Sequence, residues 1–406
     1  MEKSYDLAAG AHRLEKVQPS LIRTILDRAA ALRAEGHTVI PFSAGEPDFN
    51  TPSDIKEATI RALTNNETKY NSNRGYPRLR QVLKTYIERE TGVAYDPDTE
   101  ILVTSSAAEA LNNVIMTFVD PGDDVIILTP AFVSYKSLTY MCGGNFIDIP
   151  YVATDDGFTV DMDAIRNAIT PKTKMLIMNS PSNPTGAVIS RDDVEELCRL
   201  AIENNFLIFS DEIYSRLVYD GKAFTSVASV PGMKDHCVIV SGFSKTFAMT
   251  GWRVGYVYSD AGLITKILKT HQYSTTCSPT FIMVGLADAM ETDRTKQQVQ
   301  EMIDAFARRR KLVMELLDGI DGLSYVKPYG AFYILVDVSA LGMSSMDFSL
   351  RLLEEKFVAT VPAVGLDDHT GKYVRISYAT SEDNIREGLR LIAEFVAENR
   401  QDRQQC

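Results

Sequence analysis

Long apolar runs, paired cysteines and basic clusters are all missing from this sequence. Because no stretch of about 18 uninterrupted apolar residues occurs, we expect no membrane-spanning helix. The five cysteines are widely spaced without a CxxC pair, and the first residues lack an apolar targeting segment, so we expect reduced thiols, no metal site and a cytoplasmic protein. The 42 lysines and arginines are outnumbered by 54 acidic residues, and the net charge of −12 argues against nucleic acid or an anionic membrane as a partner.

An alternation of strands and helices begins at residue 101. Short apolar strands, among them ILVTS, VIILTP, KMLIMNSP and FLIFSD, alternate with amphipathic helices, one of them predicted over residues 107–118. This pattern predicts an α/β fold with a mostly parallel sheet that helices cover on both faces. No G-x-G-x-x-G follows any of these strands, which argues against a nicotinamide-dependent dehydrogenase.

The two ends of the chain differ from this middle part. The segments YGAFYILVDVS, VATVP and KYVRISYA predict strands, and helices are predicted over residues 346–357 and 382–398, a smaller α+β unit. A helix predicted over residues 20–35 would pack with it, and a long helix over residues 297–317 would connect the two parts. We therefore expect residues 1–48 and 296–406 to form a small domain and residues 49–295 a large one.

One lysine lies at the end of a short apolar strand. Residues 238–240 predict a buried strand, the segment SGFS ends it, and Lys245 follows directly. Burial disfavours the ammonium form and lowers the pKa of a lysine, as a Schiff-base lysine requires. A surface lysine is the ordinary alternative. However, the planar cation of Arg253 follows eight positions later, across Thr250-Gly251-Trp252.

Polar residues collect where the predicted parallel strands end. In such sheets, ligands bind at the carboxyl ends of the strands. The polar residues expected there are Ser105-Ser106, Asn179, Asn183 and Asp211. The two serines precede a helix, so they suit an N-cap and an anion site equally well. Asn183 in SPSNPTG could serve turn geometry alone, and Asp211 could cap a helix, although a carboxylate after a buried strand is costly unless paired.

Four further residues stand out, each with an ordinary alternative. Gly45 in SAGEPDF is a turn glycine by default, and Tyr70 in a polar loop would usually be half-buried packing. Phe132 could equally be a core aromatic. Arg375 lies in the apolar strand KYVRISYA and needs an anionic partner, for which a structural ion pair would be enough.

From about residue 44 to residue 378, the chain resembles a known family. The segment SKTFAMTGWR at 244–253, NPTG at 183–186, GEPDF after Ala44 and RISY at 375–378 are similar to the motifs of fold-type-I pyridoxal-phosphate enzymes, specifically class I aminotransferases of the aspartate/aromatic branch. The resemblance implies that Lys245 carries pyridoxal 5'-phosphate as a Schiff base and moves the substrate proton as general base and acid. It implies a homodimer as well, because the family's counterpart of Tyr70 reaches the cofactor phosphate of the neighbouring subunit.

The resemblance also assigns the remaining candidates. The cofactor phosphate would meet Arg253, Ser244 and the segment Ser106-Ala107-Ala108, where most relatives have glycines. Asp211 would keep the pyridine nitrogen protonated, and Tyr214 would donate to the phenolic oxygen. The other assignments are Asn183 as a second donor to that oxygen and a substrate contact, Phe132 stacked on the cofactor and touching substrate, and Gly45 and Arg375 at the substrate carboxylate.

The implied activity is transfer of the amino group of an L-amino acid to a 2-oxo acid. β-Eliminating lyases and synthases of the same fold share all these residues and stay open as an alternative. A regulator with an aminotransferase-like domain would need an added basic DNA-binding module, which we do not expect in a chain of this length and charge. Aspartate-preferring relatives have a lysine where this chain has Ala108, so we expect neutral or aromatic amino acids to serve at least as well as aspartate.

Overall fold

A computed structural model describes residues 10–404, with side chains described as far as residue 400. Its twelve α-helices within that range are α1 (Leu21–Ala34), α2 (Ser53–Thr64), α3 (Pro77–Thr91), α4 (Ala107–Phe118), α5 (Ser134–Met141), α6 (Met162–Ala168), α7 (Arg191–Asn204), α8 (Ala261–Ser274), α9 (Thr280–Ala289), α10 (Asp293–Asp318), α11 (Ser345–Lys356) and α12 (Glu382–Gln404). None of these helices is long and apolar enough to cross a lipid bilayer.

The strands form one large and two small sheets. They are β1 (Ile101–Thr104), β2 (Asp124–Thr129), β3 (Asn145–Pro150), β4 (Val152–Thr154), β5 (Gly157–Thr159), β6 (Thr173–Asn179), β7 (Leu207–Asp211), β8 (Cys237–Gly242), β9 (Gly255–Tyr258), β10 (Ser324–Val326), β11 (Tyr333–Asp337), β12 (Val361–Pro362) and β13 (Tyr373–Ser377). The large sheet has the order β1-β9-β8-β7-β6-β2-β3. Strand β9 runs antiparallel to both of its neighbours, while β8, β7, β6, β2 and β3 are mutually parallel. The predicted α/β fold with a mostly parallel sheet is confirmed.

The large sheet is buried on both faces. Successive residues of β8 show why: Val238 and Val240 pack into a cluster with residues of α4 and α8, whereas Ile239 between them packs into the main core on the other side. Side chains alternate across a strand, so a near-continuous apolar run supplies both faces at once. The sequence interpretation did not identify α8, α9 or β9, which follow the lysine segment.

A four-stranded antiparallel sheet, in the order β10-β11-β13-β12, lies in the carboxyl-terminal part of the chain. The amino-terminal part joins it, because the backbone of Ile40 pairs with Val358 and Ala359, and α1 packs through Ile25 and Leu32 against Leu353. Both chain ends therefore contribute to this α+β unit. The boundaries at residues 48/49 and 295/296 stay a prediction.

Candidate active site

A cavity of about 580 Å³ lies where the central parallel strands end. Its wall contains every predicted site residue except Tyr70, together with others that the sequence interpretation did not select. The predicted residues in the wall are Gly45, Ser106, Ala107, Ala108, Phe132, Asn183, Asp211, Tyr214, Ser244, Lys245, Arg253 and Arg375. Gly45 and Arg375, 330 positions apart in sequence (375 − 45), thus converge on one site.

Lys245 presents its amine to this cavity. The loop after β8 places the side chain so that Nζ donates a hydrogen bond to the Gly45 carbonyl at 2.5 Å. Burial lowers the pKa of Lys245 to about 8; the carboxylate of Glu46 opposes the shift, and the cation of Arg375 adds to it. An amine with this pKa is partly neutral near neutral pH, and only the neutral amine is a nucleophile.

Asp211 ends β7 and is buried. Its Oδ2 accepts a hydrogen bond from the Tyr135 hydroxyl at 2.8 Å, and its Oδ1 accepts one from the Ile213 amide at 3.1 Å. Burial raises the pKa of Asp211 to about 6, although both hydrogen bonds oppose the shift. No helix begins after Asp211, so the helix-cap alternative is wrong. A buried carboxylate of this kind is stabilised by a cation placed beside it.

Three amide and guanidinium groups form a chain along the cavity wall. Asn179 donates from Nδ2 to the Asp211 carbonyl at 2.8 Å and accepts the Asn183 backbone N–H at 2.7 Å. The Oδ1 of Asn183 then accepts from Nη1 of Arg375 at 2.9 Å. This contact orients the Asn183 amide with its nitrogen, a donor, away from the guanidinium.

Arg375 is buried without a carboxylate partner within residues 10–400. Its Nη2 donates to the Ser43 carbonyl at 3.2 Å, its guanidinium carbon lies 4.5 Å from the centre of the Tyr333 ring, and its Nε has no hydrogen-bond partner. Burial lowers the pKa of Arg375. The ion-pair alternative is therefore wrong for the described residues, and the orphaned buried donor fits a carboxylate ligand in the cavity.

The amino terminus of α4 also faces the cavity. Ser106 is its N-cap, with a side chain that accepts the Glu109 amide at 3.4 Å, and Ala107 and Ala108 line the wall. Ser106 has φ +87° and ψ 160°, a region that is essentially confined to glycine and costs of order 1–3 kcal/mol for other residues. The neighbouring strand comes very close, because a Cβ on Gly255 would lie 2.5 Å from the Ala107 nitrogen. Free N–H groups at a helix start favour an anion.

Arg253 and Phe132 lie at other positions of the wall. The guanidinium of Arg253 donates from Nη1 to the Thr250 carbonyl at 2.8 Å, and Thr250 in turn donates to the Glu46 carboxylate at 2.7 Å. Phe132 is half-buried, with its ring edge-on to Tyr135 at 5.8 Å. Its partial exposure to the cavity favours the binding interpretation over that of a core aromatic.

Tyr70 lies outside the cavity wall. Its side chain is 88 % exposed, so the interpretation as half-buried packing is wrong for this chain alone. The loop that carries it is held by a hydrogen bond from the Thr280 hydroxyl to the Lys69 carbonyl at 2.7 Å, and Tyr273 is equally exposed at 88 %.

The sequence interpretation missed several residues of the wall. Tyr333 begins β11, and its hydroxyl lies 3.0 Å from that of Tyr214. Ile22 and Leu26 reach the cavity from α1, and Arg33 lies on the same helix. The only sequence signal for Tyr333 was a polar-tipped ring at the start of an apolar strand, and that pattern is common in protein cores.

Comparison with known proteins gives matches over nearly the whole chain. Residues 37–392 match the family described as aminotransferase class I and II. An aspartate aminotransferase of Pyrococcus abyssi is 40 % identical over 381 residues, which cover 94 % of this chain and 96 % of that protein. An aromatic-amino-acid aminotransferase 2 of Thermococcus litoralis is 38 % identical over 377 residues, 93 % of this chain and 95 % of that protein.

The fold comparison agrees with these sequence matches. The structure of an aspartate aminotransferase from Thermus thermophilus with maleate superposes with a TM-score of 0.89. It is 38 % identical in sequence, and the match covers 95 % of this chain and 99 % of that one.

Proposed function

Since this chain belongs to the class I and II aminotransferases and, like that family, uses pyridoxal phosphate to move amino groups between amino acids and 2-oxo acids, we propose that Lys245 holds the cofactor as a Schiff base. The observation that carries the proposal is the amine itself. It lies in the wall of the cavity, and burial lowers its pKa to about 8, which favours the neutral, nucleophilic form. Once released by substrate, the same amine would take the proton from Cα and return it.

The other groups of the cavity fit the cofactor. The start of α4, with Ser106, Ala107 and Ala108, and the guanidinium of Arg253 and the Ser244 hydroxyl would hold a phosphate. When bound, the cofactor supplies a ring that accepts the electron pair of the Cα–H bond. The buried carboxylate of Asp211 supplies the negative charge that keeps a ring nitrogen protonated.

Four residues would orient the ring and the substrate. The Tyr214 hydroxyl and the Asn183 amide would donate to the phenolic oxygen, and Phe132 would stack against the ring. The guanidinium of Arg375 would bind the substrate α-carboxylate with its free Nε–H and an Nη–H in a bidentate pair beside Gly45. This placement would hold Cα near the Lys245 amine.

We further propose that the active molecule is a cytoplasmic homodimer in which Tyr70 of one subunit completes the site of the other. Two exposed tyrosines, Tyr70 and Tyr273, support this, because large rings with 88 % exposure are typical of surfaces that a partner covers.

The cavity wall also supports a proposal about the substrate side chain. Of the cations that line it within the described residues, Lys245, Arg253 and Arg375 have proposed roles, which leaves Arg33 at the exposed surface of α1. Ala108 offers no charge, whereas Ile22, Leu26 and Phe132 are apolar. Since a desolvated carboxylate without a partner is costly, neutral and aromatic amino acids should react at least as well as aspartate.

A half-reaction screen tests the function. Single amino acids are added to the holoenzyme, and loss of the cofactor's visible absorbance is followed. Single 2-oxo acids are then added to restore it. Restoration without ammonia release is expected, and steady ammonia release without need for an acceptor would indicate a lyase instead. Borohydride reduction followed by peptide mapping should place the cofactor on Lys245, and label on another lysine would overturn its assignment.

A further inference from the structure

The partly buried Glu109 and the buried His271 form a pair behind the start of α4. The Nδ1 atom of His271 lies 2.9 Å from Oε1 of Glu109, and the His271 side chain is fully buried. The carboxylate also accepts the Ser274 hydroxyl at 2.8 Å and the side-chain amide of Asn113. Neither Glu109 nor His271 lines the cavity, so the proposed chemistry does not use them.

Among residues 10–400, the imidazole of His271 has one hydrogen-bonding contact. Its buried Nε2 has no partner there, so a proton on Nε2 would leave an unpaired N–H in the core. The contact fits an imidazole whose Nδ1–H is donated to Glu109. Burial opposes ionisation of Glu109, but the hydrogen bonds from His271, Ser274 and Asn113 outweigh it and lower the pKa of the carboxyl.

Glu109 is tied to the loop that precedes α4. Its Oε2 accepts the backbone N–H of Ser105 at 2.9 Å, while its own amide donates to Ser106 Oγ at 3.4 Å. The Ser105 hydroxyl lies 3.2 Å from that of Thr275, just after α8. The reciprocal bonds resemble a capping box. They bracket Ser106, whose left-handed φ of +87° needs outside support.

We propose that Glu109 and His271 are positioning residues for the cofactor phosphate, because they hold Ser106 in its strained conformation and thereby keep the first turn of α4 at the cavity wall. The inference rests on the proposed phosphate site. A glycine at position 106 would adopt the same backbone without strain and would not need the pair. In this chain, hydrogen bonds from the Glu109–His271 pair stabilise a backbone conformation that glycine would adopt without support.

The test compares two ligands that differ only in the phosphate. Dissociation constants of the apo-protein for pyridoxal phosphate and for pyridoxal are measured by absorbance titration. Glu109→Gln replaces one acceptor oxygen by a donor that faces other donors, and His271→Leu removes the Nδ1–H. Each variant should raise the dissociation constant for pyridoxal phosphate about tenfold and that for pyridoxal less than about threefold.

Two variants should restore binding. His271→Asn keeps a donor close to the Nδ1 position and should bind pyridoxal phosphate within about threefold of the parent protein. Adding Ser106→Gly to Glu109→Gln should recover most of the loss. The matched control is Glu100→Gln, because Glu100 is also a buried carboxylate that accepts a backbone N–H, from Asp96 at 2.7 Å, but it does not line the cavity.

The inference would be overturned if the variants weakened the binding of both ligands equally, because the pair would then have only a structural role. It would also be overturned if Ser106→Gly did not restore the affinity for pyridoxal phosphate. Arg253→Met separates this from failure of the phosphate site itself. If Arg253→Met lowers the preference for pyridoxal phosphate over pyridoxal and Glu109→Gln does not, the inference alone is wrong. If neither changes that preference, the proposed site is wrong. Should Glu109→Gln fail to fold, the His271→Leu and His271→Asn pair carries the same comparison.

Discussion

The hydroxyl oxygens of Tyr214 and Tyr333 lie 3.0 Å apart in the cavity wall, and both side chains are buried. Tyr214 comes from the loop after β7 and Tyr333 from the first residue of β11, so the contact joins the large sheet to the small one. The hydroxyl proposed to donate to the cofactor's phenolic oxygen is thus held by a second hydroxyl.

Tyr333→Phe should therefore slow turnover about five- to tenfold with little change in fold, because one hydrogen bond that orients Tyr214 is worth about 1 kcal/mol. The measurement is kcat with the best substrate pair. Tyr95→Phe is the control, since the buried Tyr95 hydroxyl has no hydrogen-bond partner in the part of the chain that the structure describes. Unchanged kcat in Tyr333→Phe beside a slow Tyr214→Phe variant would show that Tyr214 is oriented without this contact.

Lys245 should make the stability of the apo-protein depend on pH. Its pKa of about 8 in the folded chain is lower than its ordinary value of 10.5, so the folded state binds fewer protons between these values. The contribution of Lys245 to the free energy of unfolding should then increase as the pH rises through that range. Urea unfolding at several pH values from about 8 to about 10 measures the difference in free energy of unfolding between the parent apo-protein and Lys245→Met. A difference that stays flat would mean that the amine is not desolvated.

Asp211→Asn should keep the fold and lower kcat by about a hundredfold or more. An amide carries no charge to hold a ring nitrogen protonated, and a few kcal/mol of lost stabilisation has this effect on rate. Tyr135→Phe should have a smaller effect, because it removes only one of two described hydrogen bonds to the carboxylate. Stopped-flow measurement of the rate of Cα deprotonation compares the two variants. A near-native rate in Asp211→Asn would show that Asp211 is not needed to keep the ring nitrogen protonated.

Mixing subunits tests the proposed shared site. A disabling Tyr70 variant and Lys245→Ala should each be inactive alone and regain activity when exchanged. A mixed dimer has one site with an intact lysine from one chain and an intact tyrosine from the other. If equal amounts of the two variants exchange subunits at random, about half of the dimers are mixed, and each mixed dimer has one intact site of two. Activity should therefore approach about one quarter of the parental value. No recovery despite proven exchange would place Tyr70 outside the partner's site.

Specificity constants for aspartate, phenylalanine, tyrosine and alanine test the substrate proposal. We expect the neutral and aromatic substrates to equal or exceed aspartate, since Ala108 and the apolar side chains Ile22 and Leu26 offer no partner for a second carboxylate. A preference for aspartate of about a hundredfold, roughly 2.7 kcal/mol, would contradict this. In that case, Arg33→Met would show whether the exposed cation of α1 supplies the missing charge.

The strand pattern was sufficient to predict where the site lies. Near-continuous apolar runs separated by helices imply parallel strands, and parallel strands bring their carboxyl ends to one edge. Asn183, Asp211 and Lys245, which follow three such strands, do line one cavity. The family, the fold class, the amino-transfer activity and the cofactor were also predicted and are confirmed. The roles assigned to individual residues stay proposals.

The sequence by itself determined the buried faces of the strands and helices that it predicted, since the spacing of apolar residues reflects the two faces of a strand or helix. The antiparallel insertion of β9 between β1 and β8, the pairing of Tyr214 with Tyr333 and the burial of His271 against Glu109 were decided only by the tertiary structure. The pairing of β9 with β1 and the two side-chain contacts each join residues more than 100 positions apart. Local periodicity carries no information about such contacts, because they depend on how whole elements pack rather than on the residues beside them in the chain.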